Sequence, residues 1–267
     1  MVDDIDVAHY RAFGFVVLRQ CFEAAPLSDE VDSTLAHGLR SVPEHMSAEA
    51  SINFRYVPTM SERTPVSLSL LDRFAEPAAA LLGTPVLPVR AKAVQYQGAE
   101  GWHRDSTLDV ASIGFACYLE PLTAGTGALR VLPGSHHPSV AEAVDDVLAA
   151  GATELPGHAA ETEPGDVVVF DEHLFHGSSG GDVRRQWRVD YVSQPTTERE
   201  DELIRAYFAE LYTVGWDGGY DSEAYPTYGP HWLGSGRPWL DELARLGAHQ
   251  GAQVEETHAR STYEHLR

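Results

Sequence analysis

The sequence predicts a mainly β protein, a sandwich or barrel fronted by helices, on three observations. From Thr84 onward the chain breaks into short apolar or alternating segments bounded by Gly, Pro and Asp, the grammar of spaced strands joined by turns. Before Thr84 the apolar residues recur with helical spacing. At 267 residues, 43% hydrophobic and 22% charged, the chain is long enough to close one large domain around a sizeable core. The expected organisation is one domain over 1–267, with N-terminal helices in 4–83, a β core over about 84–195 and a C-terminal extension over 196–267.

Asp4 can cap a first helix, "IDVAHYRAF", and Gly14 can end it. "FVVLR", Phe15 to Arg19, has the β-branched character of a buried strand. In "PLSDEVDSTLAHGLRSV" Val31, Leu35 and Leu39 fall four apart and make one apolar stripe of a helix. A further helix, "SLSLLDRFAEPAAALLG", carries Leu68, Leu71 and Ala75 on one face, with Pro77 expected to kink or restart it. The strand segments run Thr84 to Gln97, Ala111 to Leu122, Gly127 to His137, Gly165 to Ser179 and Trp187 to Pro195. One amphipathic helix, "SVAEAVDDVLAAG", interrupts them with Val140, Val144 and Val147 on one side, at a place where a lid could be inserted. The chain has neither an evident internal repeat nor a low-complexity linker.

Nineteen Lys+Arg against 40 Asp+Glu leave a formal charge of −21, a field that repels nucleic acids and anionic membrane surfaces. "MVDDIDVAHY" lacks the basic start and apolar run of a signal peptide, and no apolar run is long enough to span a bilayer, so a cytoplasmic location is expected. Cys21 and Cys117 stand far apart without CxxC spacing, which suits reduced thiols without chemistry of their own.

Candidate chemistry begins in "GWHRDSTLD", where His103 and Asp105 are two residues apart and would share a face of an extended strand. His176, after "GDVVVFDEHLF", can return on another strand and complete a set of two imidazoles and one carboxylate. Such a set binds one face of a metal and leaves the other open, as iron(II) oxygenases require for a co-substrate and O2 side by side. A zinc hydrolase using the same site is the alternative, and a barrel serving only as a binding module is a third reading. Arg188, in the strand "WRVDYV", is shaped to grip a carboxylate in two places. Arg184 and Arg185 read as turn charges, although Arg184 would share the face of Arg188 if the strand starts early. Gln95 could donate an amide hydrogen to a bound acid or make a cross-strand hydrogen bond. His136, His137 and Trp102 read as structural, and "EHLFH" around His173 lacks the His-Glu-x-x-His pattern of a zinc protease.

The order "WHRD", "YLEPLTAGTGALRVLPGSH", "PGDVVVFDEHLFHGSS" and then a strand arginine resembles the phytanoyl-CoA dioxygenase family of iron(II)- and 2-oxoglutarate-dependent oxygenases, from about His9 to Val192. The resemblance implies a double-stranded β-helix, a cupin-like jelly-roll barrel. It implies His103, Asp105 and His176 as iron ligands, Arg188 as the partner of the distal carboxylate of 2-oxoglutarate, and O2 as co-substrate. Hydroxylation of a small molecule is the implied reaction, with release of succinate and CO2 and with desaturation or cyclisation as related outcomes. A specialised metabolite or amino-acid derivative is the expected substrate class. Many relatives carry an Asn shortly after the distal His where this chain has "HGSSGGDVRRQWR", so Arg184 and Arg185 stay rivals of Arg188.

Overall fold

The β-branched segments of the sequence assemble into two antiparallel sheets, and the computed structural model describes residues 2–40, 54–211 and 219–248. In chain order the elements are α1 (Asp4–Phe13), β1 (Phe15–Leu18), α2 (Ala24–Gly38), β2 (Phe54–Pro58), α3 (Pro65–Leu82), β3 (Val86–Tyr96), β4 (Glu100–His103), β5 (Ser112–Tyr118) and β6 (Leu129–Val131). They continue with α4 (Pro138–Ala149), β7 (His158–Ala160), β8 (Val167–Asp171), β9 (His176–Ser178), β10 (Arg184–Ser193), α5 (Glu198–Leu211), α6 (Pro230–Leu233) and α7 (Leu240–Leu246). The expected end of the second helix at Ser41 and Val42, and parts of the C-terminal extension, lie outside the described residues.

One sheet has six strands in the order β1-β8-β5-β10-β3-β2, the other four in the order β4-β9-β6-β7. This is the jelly-roll arrangement of a double-stranded β-helix. Side chains alternate across each strand, so the large sheet has two different faces. Val89, Ala91 and Ala93 of β3, Ile113, Phe115 and Cys117 of β5, and Trp187, Val189 and Tyr191 of β10 pack with Leu71, Phe74, Ala78 and Leu81 of α3 in the main core. Leu203, Tyr207, Trp232 and Leu246 join the same core, so the described part of the C-terminal extension is built onto the barrel. The opposite face looks into the space between the sheets, where Tyr118, Leu129, Val131, Val168 and Phe170 form a smaller cluster.

Three sequence expectations change. Asp3, not Asp4, caps α1: its carboxylate accepts from the Ile5 and Asp6 backbone N–H groups, and Asp6 returns the bond to the cap backbone. α3 runs as one helix through Pro77 instead of restarting there. Buried Leu71 and Phe74 before it and Ala78 and Leu81 after it outweigh the single backbone hydrogen bond that proline lacks. In α4 the buried side is Ala141 and Val144, packed with Phe175, whereas Val140 and Val147 are 38% and 46% exposed.

Candidate active site

His103 ends β4 and His176 begins β9, and these two residues face each other in the register of the smaller sheet. Asp105 lies just beyond β4 instead of on it, where its backbone N–H donates to the Glu172 carbonyl at 2.9 Å and fixes the turn. The ligand-capable atoms of His103, Asp105 and His176 all lie within 4.8 Å of one another. His103 Nε2 stands 3.7 Å from Asp105 Oδ1, and His176 Nε2 stands 3.6 Å from Asp105 Oδ2.

Both imidazoles are oriented in the same way. Nδ1 of His103 lies 2.8 Å from the Gly101 carbonyl, and Nδ1 of His176 lies 2.9 Å from the Leu174 carbonyl. A carbonyl only accepts, so each Nδ1 carries a proton and each Nε2 is the nitrogen turned to the shared point. Burial, reinforced by neighbouring positive charge, lowers the His176 pKa to about 4, which keeps its imidazole neutral. For Asp105 burial works upward, but Arg188 and the two histidines outweigh it and hold the carboxyl well below its ordinary range. A divalent metal needs two imidazole nitrogens and an ionised carboxylate converging on one point, and this donor set fits such an ion.

The three side chains line a cavity of about 310 Å³ between the sheets. Its wall on β10 is Arg184, Gln186, Arg188 and Asp190, which are 4%, 2%, 6% and 0% exposed. Polar alternation on a strand usually marks a solvated face; here that face is enclosed. Enclosed charge is costly unless paired or used, so each cation requires an explanation.

Arg188 is paired with carboxylates through both Nε and Nη2. Its Nη2 stands 2.8 Å from Asp105 Oδ2 and 2.9 Å from Glu172 Oε1, and its Nε 2.5 Å from Asp190 Oδ1. Gly114 of β5 makes the room, since a Cβ there would lie 2.8 Å from Arg188 Nη2. Glu172 is itself pushed up to about 7 by burial and by Asp190. Its Oε2 accepts from Tyr207 of α5 at 2.5 Å.

Arg184 is different. Its Nη1 donates to the carbonyls of Gly98 at 3.0 Å and Gly180 at 2.9 Å, and its Nη2 donates to Ser178 Oγ at 3.1 Å. All of these acceptors are neutral. Among the described residues Arg184 has no carboxylate in ion-pair range. It is a buried cation at the cavity wall whose counter-ion the described residues do not supply. The sequence preference for Arg188 as carboxylate anchor therefore meets an arginine already committed to three carboxylates.

Gln95 is a correction. Strand alternation places Tyr96 and Val94 on the cavity side, and Gln95 pairs in register with Arg185 and Arg55 on the other face. It does not line the cavity. Arg185 also points away, toward Glu120 at 2.6 Å and toward Asp32. His136 contacts the Arg11 carbonyl, and Trp102 packs with Phe175 in the α4 cluster, both away from the cavity. Sequence reading missed Ser178, Tyr96, Lys92, Glu172 and Asp190 as lining residues. The signal available for Ser178 was its spacing two residues after His176; the others needed knowledge of which face turns inward.

A jelly roll holding two imidazoles and a carboxylate at one point of its interior defines a class, the metal-dependent double-stranded β-helix oxygenases. The chain matches the phytanoyl-CoA dioxygenase (PhyH) family over residues 10–186, and it belongs to that family of iron- and 2-oxoglutarate-dependent oxygenases. Among solved structures it is similar to AviO1 from Streptomyces viridochromogenes Tue57, with a TM-score of 0.56, 23% identity, and 74% of this chain and 98% of that one covered. It is also similar to EctD from S. alaskensis with bound Fe, with a TM-score of 0.53, 23% identity, and coverage of 72% and 77%. HygX from Streptomyces hygroscopicus, solved with nickel and 2-oxoglutarate, gives a TM-score of 0.56 at 15% identity, with coverage of 74% and 90%. At these identities the likeness is one of fold. Dioxygenase FrzG from Cladobotryum sp. is 24% identical over 159 residues, 56% of this chain, and the chain spans about half (51%) of the length of that curated relative. No helix among the described residues is long and apolar enough to cross a membrane.

Proposed function

We propose that the chain is an iron(II)- and 2-oxoglutarate-dependent dioxygenase that hydroxylates a small molecule and releases succinate and CO2. The observation that carries this reading is the coexistence, in one cavity, of the His103, Asp105, His176 convergence and a buried arginine, Arg184, without a carboxylate partner among the described residues. His103 Nε2, a carboxylate oxygen of Asp105 and His176 Nε2 would hold the metal. Bound iron(II), with 2-oxoglutarate and O2, supplies the oxidising power for attack on an unactivated C–H bond.

The protein's own residues do the rest. Arg184, with Ser178 beside it, is the anchor we infer for the distal carboxylate of 2-oxoglutarate, because it offers charge that no carboxylate among the described residues has taken. Arg188 steadies Asp105 through Oδ2, and Glu172 and Asp190 fix Arg188 in turn. Phe170 packs against His176 with ring centroids 4.8 Å apart and keeps water from the rear of that ligand. A cavity of this size suits a small substrate. HygX with hygromycin B bound and EctD with 5-hydroxyectoine are relatives in fold holding small molecules, which supports the same class here.

The test is product analysis. Purified protein given iron(II), O2 and 2-oxoglutarate should form succinate slowly even without its primary substrate, and zinc should inhibit. Activity of the zinc-loaded protein that is indifferent to 2-oxoglutarate would return the hydrolase reading.

A further inference from the structure

His103 stands on an edge strand. β4 is four residues long, borders the smaller sheet with β9 as its neighbour, and has an irregular register between Glu100 and His103. So short an edge is held by few ladder hydrogen bonds, and its place depends on what its side chains pack against. His103 turns into the cavity, while the residues on either side of it, Trp102 and Arg104, turn to the outer face. Phe175, next in sequence to His176, turns outward too. The immediate neighbours of both ligand imidazoles therefore meet on one outer surface: Trp102 and Phe175 share a small apolar cluster, and the Arg104 guanidinium lies 4.8 Å from the Phe175 ring centroid.

The segment inserted between β6 and β7 covers that surface. Ala141, Val144 and Leu148 of α4 complete the cluster, with Leu132 before the helix and Leu155 after it. Asp145 Oδ2 stands 2.8 Å from Arg104 Nη2. Half-exposed, this ion pair is weak alone, but it holds the guanidinium flat on Phe175. Arg130 of β6 lies 5.0 Å from the Trp102 ring centroid; its Nη2 donates to the Leu155 carbonyl at 2.9 Å and its Nη1 meets Glu154 at 3.0 Å. Gly157 presses on the same indole, since a Cβ there would run into Trp102 Cη2. The start of the segment is tied to β9: Ser135 Oγ accepts from the Phe175 N–H at 2.8 Å, and the Leu132 N–H donates to the Phe175 carbonyl at 2.9 Å. The sequence allowed a lid at this insertion, yet α4 contributes no side chain to the cavity lining among the described residues.

We propose that α4 and the loop to Gly157 form a clamp that sets the spacing of the His103 and His176 imidazoles, whose ring centroids are 4.3 Å apart, and that Trp102, Arg104 and Phe175 are the positioning residues through which it acts. Asp105 has its own supports, the Glu172 carbonyl for its backbone and Arg188 for its carboxylate. The His176 ring is held at the Leu174 carbonyl and against Phe170. His103, on the short edge strand, has the least support from elsewhere, so loosening the clamp acts on it first. The inference rests on reading the three residues as a metal centre, and it holds whichever reaction that centre performs.

Titration of the purified chain with cobalt(II) tests it, because the visible absorption of that ion reports binding together with the number and arrangement of its ligands. Gly157→Ala pushes on Trp102 from the loop and leaves every ligand and its sequence neighbours in place. It should weaken cobalt binding by about tenfold or more and alter the spectrum, the scale expected when the support of a ligand is disturbed. Val144→Ala, which hollows the contact with Phe175, and Arg104→Ala should act in the same direction. Arg104→Lys, which can keep the pair with Asp145, should recover part of the loss. Val147→Ala, on the exposed side of α4, should match the native chain. Leu81→Ala, in the main core under α3, should lower the Tm at least as far and yet leave cobalt affinity and spectrum native, which separates positioning from stability. If Gly157→Ala does not fold, Val144→Ala and Arg104→Ala decide. Native affinity and spectrum in the clamp variants, or equal weakening in Leu81→Ala, overturns the proposal. A native chain that binds no cobalt would count against the metal centre itself.

Discussion

Arg184 and Arg188 share a strand face and differ in what surrounds them. Because Arg184 lacks a carboxylate partner, Arg184→Ala should raise the 2-oxoglutarate KM, by the equivalent of about 2–5 kcal/mol if the co-substrate carboxylate is left buried and unpaired. Arg184→Lys should fall between, since lysine keeps the charge and loses the fork. Arg188→Ala should act first on metal affinity and stability, because it leaves Asp105, Glu172 and Asp190 facing one another. Steady-state kinetics with varied 2-oxoglutarate separates the two, and a KM that moves only in Arg188→Ala would return the anchor to that residue. Gly127 offers a check that leaves both arginines in place. A Cβ there would lie 2.5 Å from Arg184 Nη1, and its φ of +95° disfavours any side chain. Gly127→Ala should therefore raise the same KM while iron binding persists. Sequence reading could not choose between the arginines, since residues four apart on a strand point the same way. The deciding carboxylates come from the turn after β4, from the β8–β9 turn and from β10 itself.

Two further elements place the site, and each carries its own test. The turn between β8 and β9 is pinned by His173, whose Nδ1 lies 2.8 Å from Asp171 Oδ1 and whose Nε2 lies 2.6 Å from the Leu108 carbonyl. Both partners accept, so the turn wants the imidazolium. Burial works against that charge, but the Asp171 and Leu108 contacts prevail and raise the His173 pKa above 6.5. A raised folded-state value means stability fully present below the ordinary pKa and lost as pH climbs through the folded one. The Tm advantage of the native chain over His173→Gln should therefore be largest near pH 6 and shrink toward pH 9. An advantage constant across that range would contradict the assignment. α5 reaches the site through Tyr207, the donor to Glu172 Oε2. Tyr207→Phe leaves that buried oxygen unsatisfied and should cost about 1–3 kcal/mol in denaturant unfolding. α5 was not anticipated as part of the site. Its contributions, the Tyr207 hydroxyl and the cavity-lining Glu210, come from a helix distant in sequence, which no local pattern announces, whereas β1, β3, β5 and β8 were legible from runs such as "FVVL" and "VVVF".

At the scale of the molecule, the sandwich was readable because spaced strands follow helices in sequence, and the candidate metal ligands because two of them sit in one short motif. The inside of the barrel was not readable. In "RRQWRVDYV" the polar residues alternate as they would on a solvated face, and only the packing of Trp187, Val189 and Tyr191 against α3 shows that the polar side turns inward. A net charge of −21 likewise conceals a cavity wall carrying Arg90, Lys92, Arg184 and Arg188. The convergence of His103, Asp105 and His176 as one metal centre is tested most directly by anaerobic addition of iron(II) and then 2-oxoglutarate, followed in the visible spectrum. The native chain and His137→Ala should develop the weak charge-transfer band of the iron–2-oxoglutarate chelate, and His176→Ala should not. A band of undiminished strength in His176→Ala, or none in the native chain, would contradict the assignment.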